Sequence, residues 1–255
     1  MKRISSGGIY FWRFDNLDTF AAIDHFVSDR DGGQTELTLS FGSSPDKEMI
    51  RNNRRQVADA MGIATDKLVF PSQVHLTNIV NVTSTTPKDS LLDTDALITQ
   101  EKGLCIAVMS ADCVPILLYD QRNQAVGAVH SGWRGTVARI LEKTLAEMNR
   151  AFGTRGADLV AGIGPSVSQE SYEVGGEVID EVERAFGTES ALMIKKPNKK
   201  AHLDLWKANK VQLLEFGVPE HHIEISDLCT VKNNQHFFSA RKGDAGRFAA
   251  GIMLR

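Results

Sequence analysis

Cysteine is scarce in this chain: Cys105, Cys113 and Cys229 are the 3 thiols in 255 residues. An odd, sparse set is unlike the disulfide framework of a small secreted protein, so the expected compartment is the reducing cytoplasm. Long hydrophobic runs are lacking too, since no stretch approaches the roughly 18 to 20 continuous apolar residues of a membrane helix. The opening MKRISSGGIYFWRFDN places Gly, Ser, Arg and Asp where a secretory signal needs about 7 to 15 apolar residues. Nor is there a surplus of charge of one sign. A net charge of −3 gives no electrostatic footprint for nucleic acid or for an anionic membrane, and KKPNKK at 195–200 reads as a solvated loop. The apolar content of 42% is ordinary for a globular protein with a sizeable core.

What is present reads as a mixed succession of strands and helices in a single domain over 1–255. IYFWRF and TELTLSF, on either side of DRDGG at 29–33, read as strands. SPDKEMIRNNRRQVADAMGI starts at Ser44-Pro45-Asp46, closes at Gly62 and has Ile50, Val57 and Met61 at helical spacing. KLVFPSQVH is expected as a strand ending near His75, followed by strands at IVNVTS, DALIT and GLCIAVMS. TVARILEKTLAEMNRAFG places Val137, Ile140, Leu141, Leu145 and Met148 on one helical face. DLVAGIG reads as a strand, and VGGEVIDEVERAFG and HLDLWKANKVQLLEFG as helices that end at glycine. IEISDLCT, QHFFSAR and RFAAGIMLR are expected as closing strands.

The chemistry gathers around one hairpin. CVPILLYD (113–120) and QAVGAVH (124–130) flank a polar turn, and pairing Tyr119 with Gln124 would set Cys113 opposite His130. Opposed side chains have Cβ atoms roughly 4.5 to 5.5 Å apart, so this thiol and imidazole could share a metal, or a proton as nucleophile and base. His75, at another strand end, would complete a Cys/His/His set with a fourth position open. Asp112 could orient a ligand imidazole if the strand bends there. SGWRGT supplies Gly132, Arg134 and Gly135 just before a helix expected to begin near Thr136, which makes an anion or phosphate site. The alternative is a tight connection with Trp133 as a lid and Thr136 as N-cap. Arg54, Arg241 and Arg247 are further candidates for a carboxylate or phosphate.

PSQVH (71–75), TDALIT (94–99), SADCVPILLYD (110–120), VGAVHSGWRG (126–135), GIGPSVSQESYEV (162–174) and FFSARKGDAGR (237–247) resemble the bacterial laccase-domain family, long labelled multicopper polyphenol oxidoreductase. The resemblance implies an α/β (mixed α+β) fold of layered mixed sheets with flanking helices, related to the catalytic domain of cytotoxic necrotizing factor. It implies a purine nucleoside phosphorylase acting on adenosine, inosine and methylthioadenosine, with adenosine deaminase activity. Nucleoside and phosphate would be its small-molecule partners, with no nucleic acid and no membrane. It also implies zinc at the motif positions His75, Cys113 and His130. Copper is an alternative metal for the same donors, with phenol oxidation as a side activity. The Asn53-Arg54 pair makes Arg54 a substrate contact, alongside Gln73 of the PSQVH motif, Arg134, Gly135 and Arg241. Asp112 and Glu173 are candidates for general acid or base. Ser166 and Ser168 stand where members often carry cysteine. A multicopper oxidase needs many histidines in His-x-His pairs; this chain has 7 histidines and no such pair. The competing class is an amide hydrolase editing peptidoglycan precursors, with Cys113 and His130 or the metal at its centre.

Overall fold

Two six-stranded sheets carry most of the period-two alternation in the chain. The structure, a computed structural model, describes residues 1–33, 35–188 and 190–255. In the first sheet the order is β1 (Lys2–Ser6), β2 (Ile9–Arg13), β3 (Ile23–Ser28), β15 (Phe248–Leu254), β7 (Cys105–Ser110) and β4 (Leu68–Val69). The second runs β14 (Ile223–Ile225), β10 (Leu159–Ile163), β8 (Val114–Asp120), β9 (Ala125–Ser131), β6 (Ala96–Thr99) and β5 (Ile79–Asn81). Pairing is antiparallel except β4–β7, β10–β14 and β5–β6. A small third sheet holds β11 (Glu173–Val174), β13 (Lys200–Leu203) and β12 (Met193–Lys196).

Alternation in β15 shows how the layers form. Phe248, Ala250, Ile252 and Leu254 enter a core with Leu97, Leu117, Tyr119, Val126 and Ala128 of the second sheet. Ala249 and Met253 point the other way, onto Val57, Ala58 and Met61 at the end of helix α1 (Lys47–Ala60). Both faces of the central strands of each large sheet are therefore buried, as their nearly continuous apolar runs require. Beyond the second sheet lie α2 (Trp133–Val137), α3 (Ile140–Phe152), α4 (Gly176–Phe186) and α5 (Leu205–Glu215). Leu141, Leu145, Met148, Val182, Ala208 and Leu213 seal this outer core. The expected mixed α+β arrangement of layered sheets with flanking helices is what is observed. Among the described residues no helix is long and apolar enough to cross a membrane.

Several local expectations are corrected. The β8–β9 register sets Pro115 opposite His130 and Tyr119 opposite Val126, so Cys113 is not directly opposed to His130. Asp120 causes the shift: its carboxylate accepts from the Arg122 and Asn123 amides at 3.0 and 2.9 Å, which starts the turn one residue later. KLVFPSQVH is a strand only at Leu68–Val69. Past Pro71 the Gln73 side chain replaces a ladder, accepting from Met109 N at 2.7 Å and donating to Met109 O at 2.8 Å. The helix after His130 begins at Trp133, inside SGWRG, and breaks at Arg139, whose φ of 61° is left-handed. QHFFSAR is no strand, because successive turns from Asn233 drop Phe237 and Phe238 into the core. TELTLSF is also irregular and contributes Leu37 and Leu39 as buried anchors. KKPNKK forms the exposed tip of the β12–β13 hairpin.

Candidate metal centre

His75, Cys113 and His130 come from three separate segments and meet. Cys113 ends the bend between β7 and β8, His130 is the penultimate residue of β9, and His75 lies on the loop after β4. Their Sγ and ring nitrogen atoms all lie within 4.8 Å of one another. The corrected register still allows this, since a residue two positions before Pro115 is a diagonal neighbour of His130. Gly132 makes the room: a Cβ there would lie 2.9 Å from Cys113 Sγ and 3.2 Å from His75 Cδ2.

Asp95 holds the histidines in place. Its buried carboxylate accepts from the amides of Val74, His75 and Leu76 at 3.2, 3.0 and 2.8 Å, fixing a turn in which His75 adopts the left-handed φ of 64°. That conformation costs a non-glycine residue about 1 to 2 kcal/mol, which the three amide bonds offset. The same carboxylate meets His130 Nδ1 at 2.8 Å, so Nδ1 carries the proton and Nε2 is left for a ligand. Burial pushes the Asp95 carboxyl up, but the hydrogen bonds from His130 and the Leu76 amide outweigh it and hold the group below its usual range.

Cys113 and His130 polarise each other. Burial raises the thiol, yet the adjacent His130 charge and the hydrogen bonds from His130 and His75 bring it down to about 6. Burial likewise lowers His130, but Cys113 and Asp95 raise it to about 9. Without a cation the pair is a thiolate and an imidazolium near neutral pH.

These residues line a cleft of about 1340 Å³, together with Arg54, Gln73, Met109, Asp112, Tyr172, Arg241 and Arg247. The other expected site residues divide sharply. Gln73 spends its amide on Met109, as described above. Asp112, at φ 86°, does not orient an imidazole: it accepts from Thr230 Oγ1 at 2.5 Å and from the Arg241 amide at 2.8 Å, tying the C-terminal loop to the site. Asp95 does the orienting instead. Arg134 is exposed, stacks on Trp133 with its guanidinium carbon 4.2 Å from the ring centroid, and does not line the cleft. Gly135 is buried against Ile140 and also stays outside the lining, because SGWRG is already turning into helix. Arg241 lies over the Tyr172 ring at 4.6 Å and donates to Glu173 O at 2.9 Å. The Glu173 carboxylate faces Lys200 and Lys196 at the surface, outside the cleft lining. Ser166 accepts from Trp206 Nε1, and the Ser168 amide reaches Cys229 Sγ at 3.3 Å.

Sequence reasoning missed Asp95 and Tyr172, although both stand inside quoted motifs, and it read Gly132 as part of an anion site rather than as room for the Cys/His cluster. The signal for Asp95 was a carboxylate directly before the apolar run ALI, where a charge is buried only if it is paired.

The family model described as multi-copper polyphenol oxidoreductase laccase matches residues 24–255. A purine nucleoside phosphorylase from Bacteroides thetaiotaomicron is 40% identical over 256 residues, covering 94% of this chain and 95% of that protein. Adenosine deaminase RL5, from an unknown prokaryotic organism, is 35% identical over 80% of this chain and 81% of its own. The crystal structure of Bacillus licheniformis hypothetical protein YfiH superposes with a TM-score of 0.90 at 27% identity, covering 99% of this chain and 98% of that one.

Proposed function

The chain belongs to the family of multi-copper polyphenol oxidoreductase laccases, and from that premise we propose that it is a zinc-dependent purine nucleoside phosphorylase that also deaminates adenosine. The observation that carries the reading is the donor set His75, Cys113 and His130 lining a cleft large enough for a nucleoside. One sulfur and two nitrogens with a fourth position open suit catalytic zinc. Tetrahedral zinc sets two nitrogens and a sulfur about 3.3 to 3.6 Å apart, and the ligand atoms here all lie within 4.8 Å of one another. Asp95 supplies the carboxylate behind His130 that such ligands require. A multicopper cluster does not fit, because this is the one Cys/His group of its kind among the described residues. A single copper could take the same donors, with phenol oxidation as a side activity.

A zinc ion held there would act as a Lewis acid at the open position. The protein's own groups do the remaining work. His130 is fixed through Nδ1 by Asp95, and the Tyr172 phenol, pushed up to about 12 by burial and by Cys113, stays protonated as a donor to a departing purine. In phosphorolysis a phosphate oxygen attacks ribose C1′ and the C1′–N9 bond breaks. Its electron pair leaves with the base, which takes up a proton. In deamination water adds at C6 of adenine and ammonia departs.

The test is elemental analysis of protein purified without added metal, paired with phosphate-dependent release of hypoxanthine from inosine. About one zinc per chain is expected, and Cys113→Ala should lose both the metal and the two activities. Retained activity in metal-free Cys113→Ala would sink the proposal. One observation favours a second reading: the metal-free thiolate and imidazolium pair is the arrangement of a cysteine nucleophile acting on an amide. Rapid alkylation of Cys113 by iodoacetamide in the protein as purified, with no metal and no base release, would move the assignment there.

A further inference from the structure

The half-buried arginines among the described residues are Arg13, Arg30, Arg54, Arg139 and Arg247. A guanidinium removed from water needs a compensating charge. Arg13 has Asp18 and Asp24, Arg30 has Glu36 and Asp244, and Arg139 has Glu142 and Glu215. Among the described residues Arg54 and Arg247 have no carboxylate within ion-pair distance, and these two both line the cleft that holds His75, Cys113 and His130.

The two cations share one wall and are joined through a single residue. Arg54 Nε donates to Leu39 O at 2.9 Å, and the Leu39 amide donates to Arg247 O at 3.0 Å. The Arg54 guanidinium carbon lies 4.3 Å from the Phe41 ring centroid and 4.4 Å from that of Phe70, which clamps the group between two faces. Arg247 Nη1 is held by the carbonyls of Asp244, Ala245 and Gly246. Neutral groups thus fix both side chains without balancing their charge. Arg54 Nη1, and Arg247 Nε and Nη2, have no protein acceptor among the described residues. Burial depresses Arg54 to about 10, the direction expected of an uncompensated cation. Two fixed guanidiniums without a compensating charge in one cleft are both stabilised by an anion that enters it.

We propose that Arg54 and Arg247 form an oxyanion subsite that takes a phosphate group in this cleft. The choice of phosphate rests on the phosphorolysis reading; the anion subsite itself rests on the two unbalanced guanidiniums. Phosphate can arrive as the inorganic ion or as a phosphoryl substituent of the substrate. This subsite replaces SGWRG as the anion site, because Arg134 and Gly135 lie outside the cleft lining.

Calorimetric titration with inorganic phosphate and with adenosine 5′-monophosphate, on wild type, Arg54→Lys and Arg247→Ala, tests the subsite; thermal melts check that each variant is folded. Lys keeps the charge between the rings but loses the fork, so both variants should bind phosphate about tenfold or more weakly. If only monophosphate binding falls, the subsite stands and its ligand is a phosphoryl substituent. No binding of either ligand by wild type, or equal binding by wild type and both variants, overturns it. Loss of phosphate binding in the variants, with no base released from inosine by wild type, keeps the subsite and removes the phosphorylase reading. Phosphorolysis with an unchanged phosphate KM and unchanged monophosphate binding in both variants does the reverse.

Discussion

Asp95 sets the position of both histidines through one carboxylate, so its loss should be felt at the metal before it is felt in the fold. Asp95→Ala removes the acceptor for three successive amides and for His130 Nδ1. We expect zinc affinity, measured by chelator competition, to fall about 10- to 100-fold, the usual cost of removing the partner behind a ligand histidine. An unchanged affinity would mean that the turn at His75 is held by other groups. At this scale the sequence showed which residue types could bind a metal, because Cys113 and His130 stand at the ends of apolar runs. It did not show Asp95, since a residue 20 positions from His75 and 35 from His130 becomes their partner only once β6 lies beside β9. Arg134 illustrates the opposite case. A guanidinium beside two glycines suggested an anion site, but the local start of α2 turns it outward onto Trp133.

Elements were legible in type and less so in their ends. α1 and the strands β6, β7, β10 and β15 follow directly from apolar periodicity, while the β8–β9 register turned on one side chain. Asp120 is fully buried, accepts two turn amides and bonds Asn123 Nδ2 at 2.9 Å. Asp120→Ala strands these donors and should destabilise the protein by about 1 to 3 kcal/mol, read as a lower urea midpoint with an unchanged m-value. A shift in m instead would indicate that the hairpin had slipped. Slippage by one residue would flip Val114, Ile116 and Leu118 from the helical core to the opposite face, so the turn protects the site from a distance. The strand expected at KLVFPSQVH failed for a related reason. Gln73 mimics a strand with its side-chain amide, and sequence periodicity carries no trace of such a substitution.

At the scale of the whole molecule, stacking two sheets face to face buries ionisable groups whose cost appears in acid. His25 lies in β3, its Nε2 accepts from the Phe14 amide at 2.9 Å, and its ring stacks on Phe14. Burial and the nearby Arg13 charge lower it from 6.5 to about 4. The folded state therefore keeps His25 neutral where the unfolded chain protonates it. Its contribution is fully present above pH 6.5 and is lost as pH falls toward 4, about 3 kcal/mol in all and about 2 kcal/mol by pH 5. The Cys113–His130 pair does not mask this in the metal-free protein. Between pH 6.5 and 9 the folded pair holds one proton on imidazole and the unfolded pair holds one on sulfur, so its slope is near zero there; from 6.5 to 5 the unfolded imidazole is protonated only slightly before the folded thiolate, so the pair adds a smaller loss of the same sign. Asp95, depressed below the ordinary carboxyl range, loses its contribution only at lower pH. Urea midpoints should then fall between pH 7 and 5 in wild type, while His25→Gln, which keeps an acceptor but no titrating group, should flatten the profile after any constant loss. An equally steep profile in His25→Gln would place the acid sensitivity elsewhere. A histidine inside HFV at 25–27 gave no hint of this, because its burial follows from the pairing of β3 with β15 across nearly the whole length of the chain.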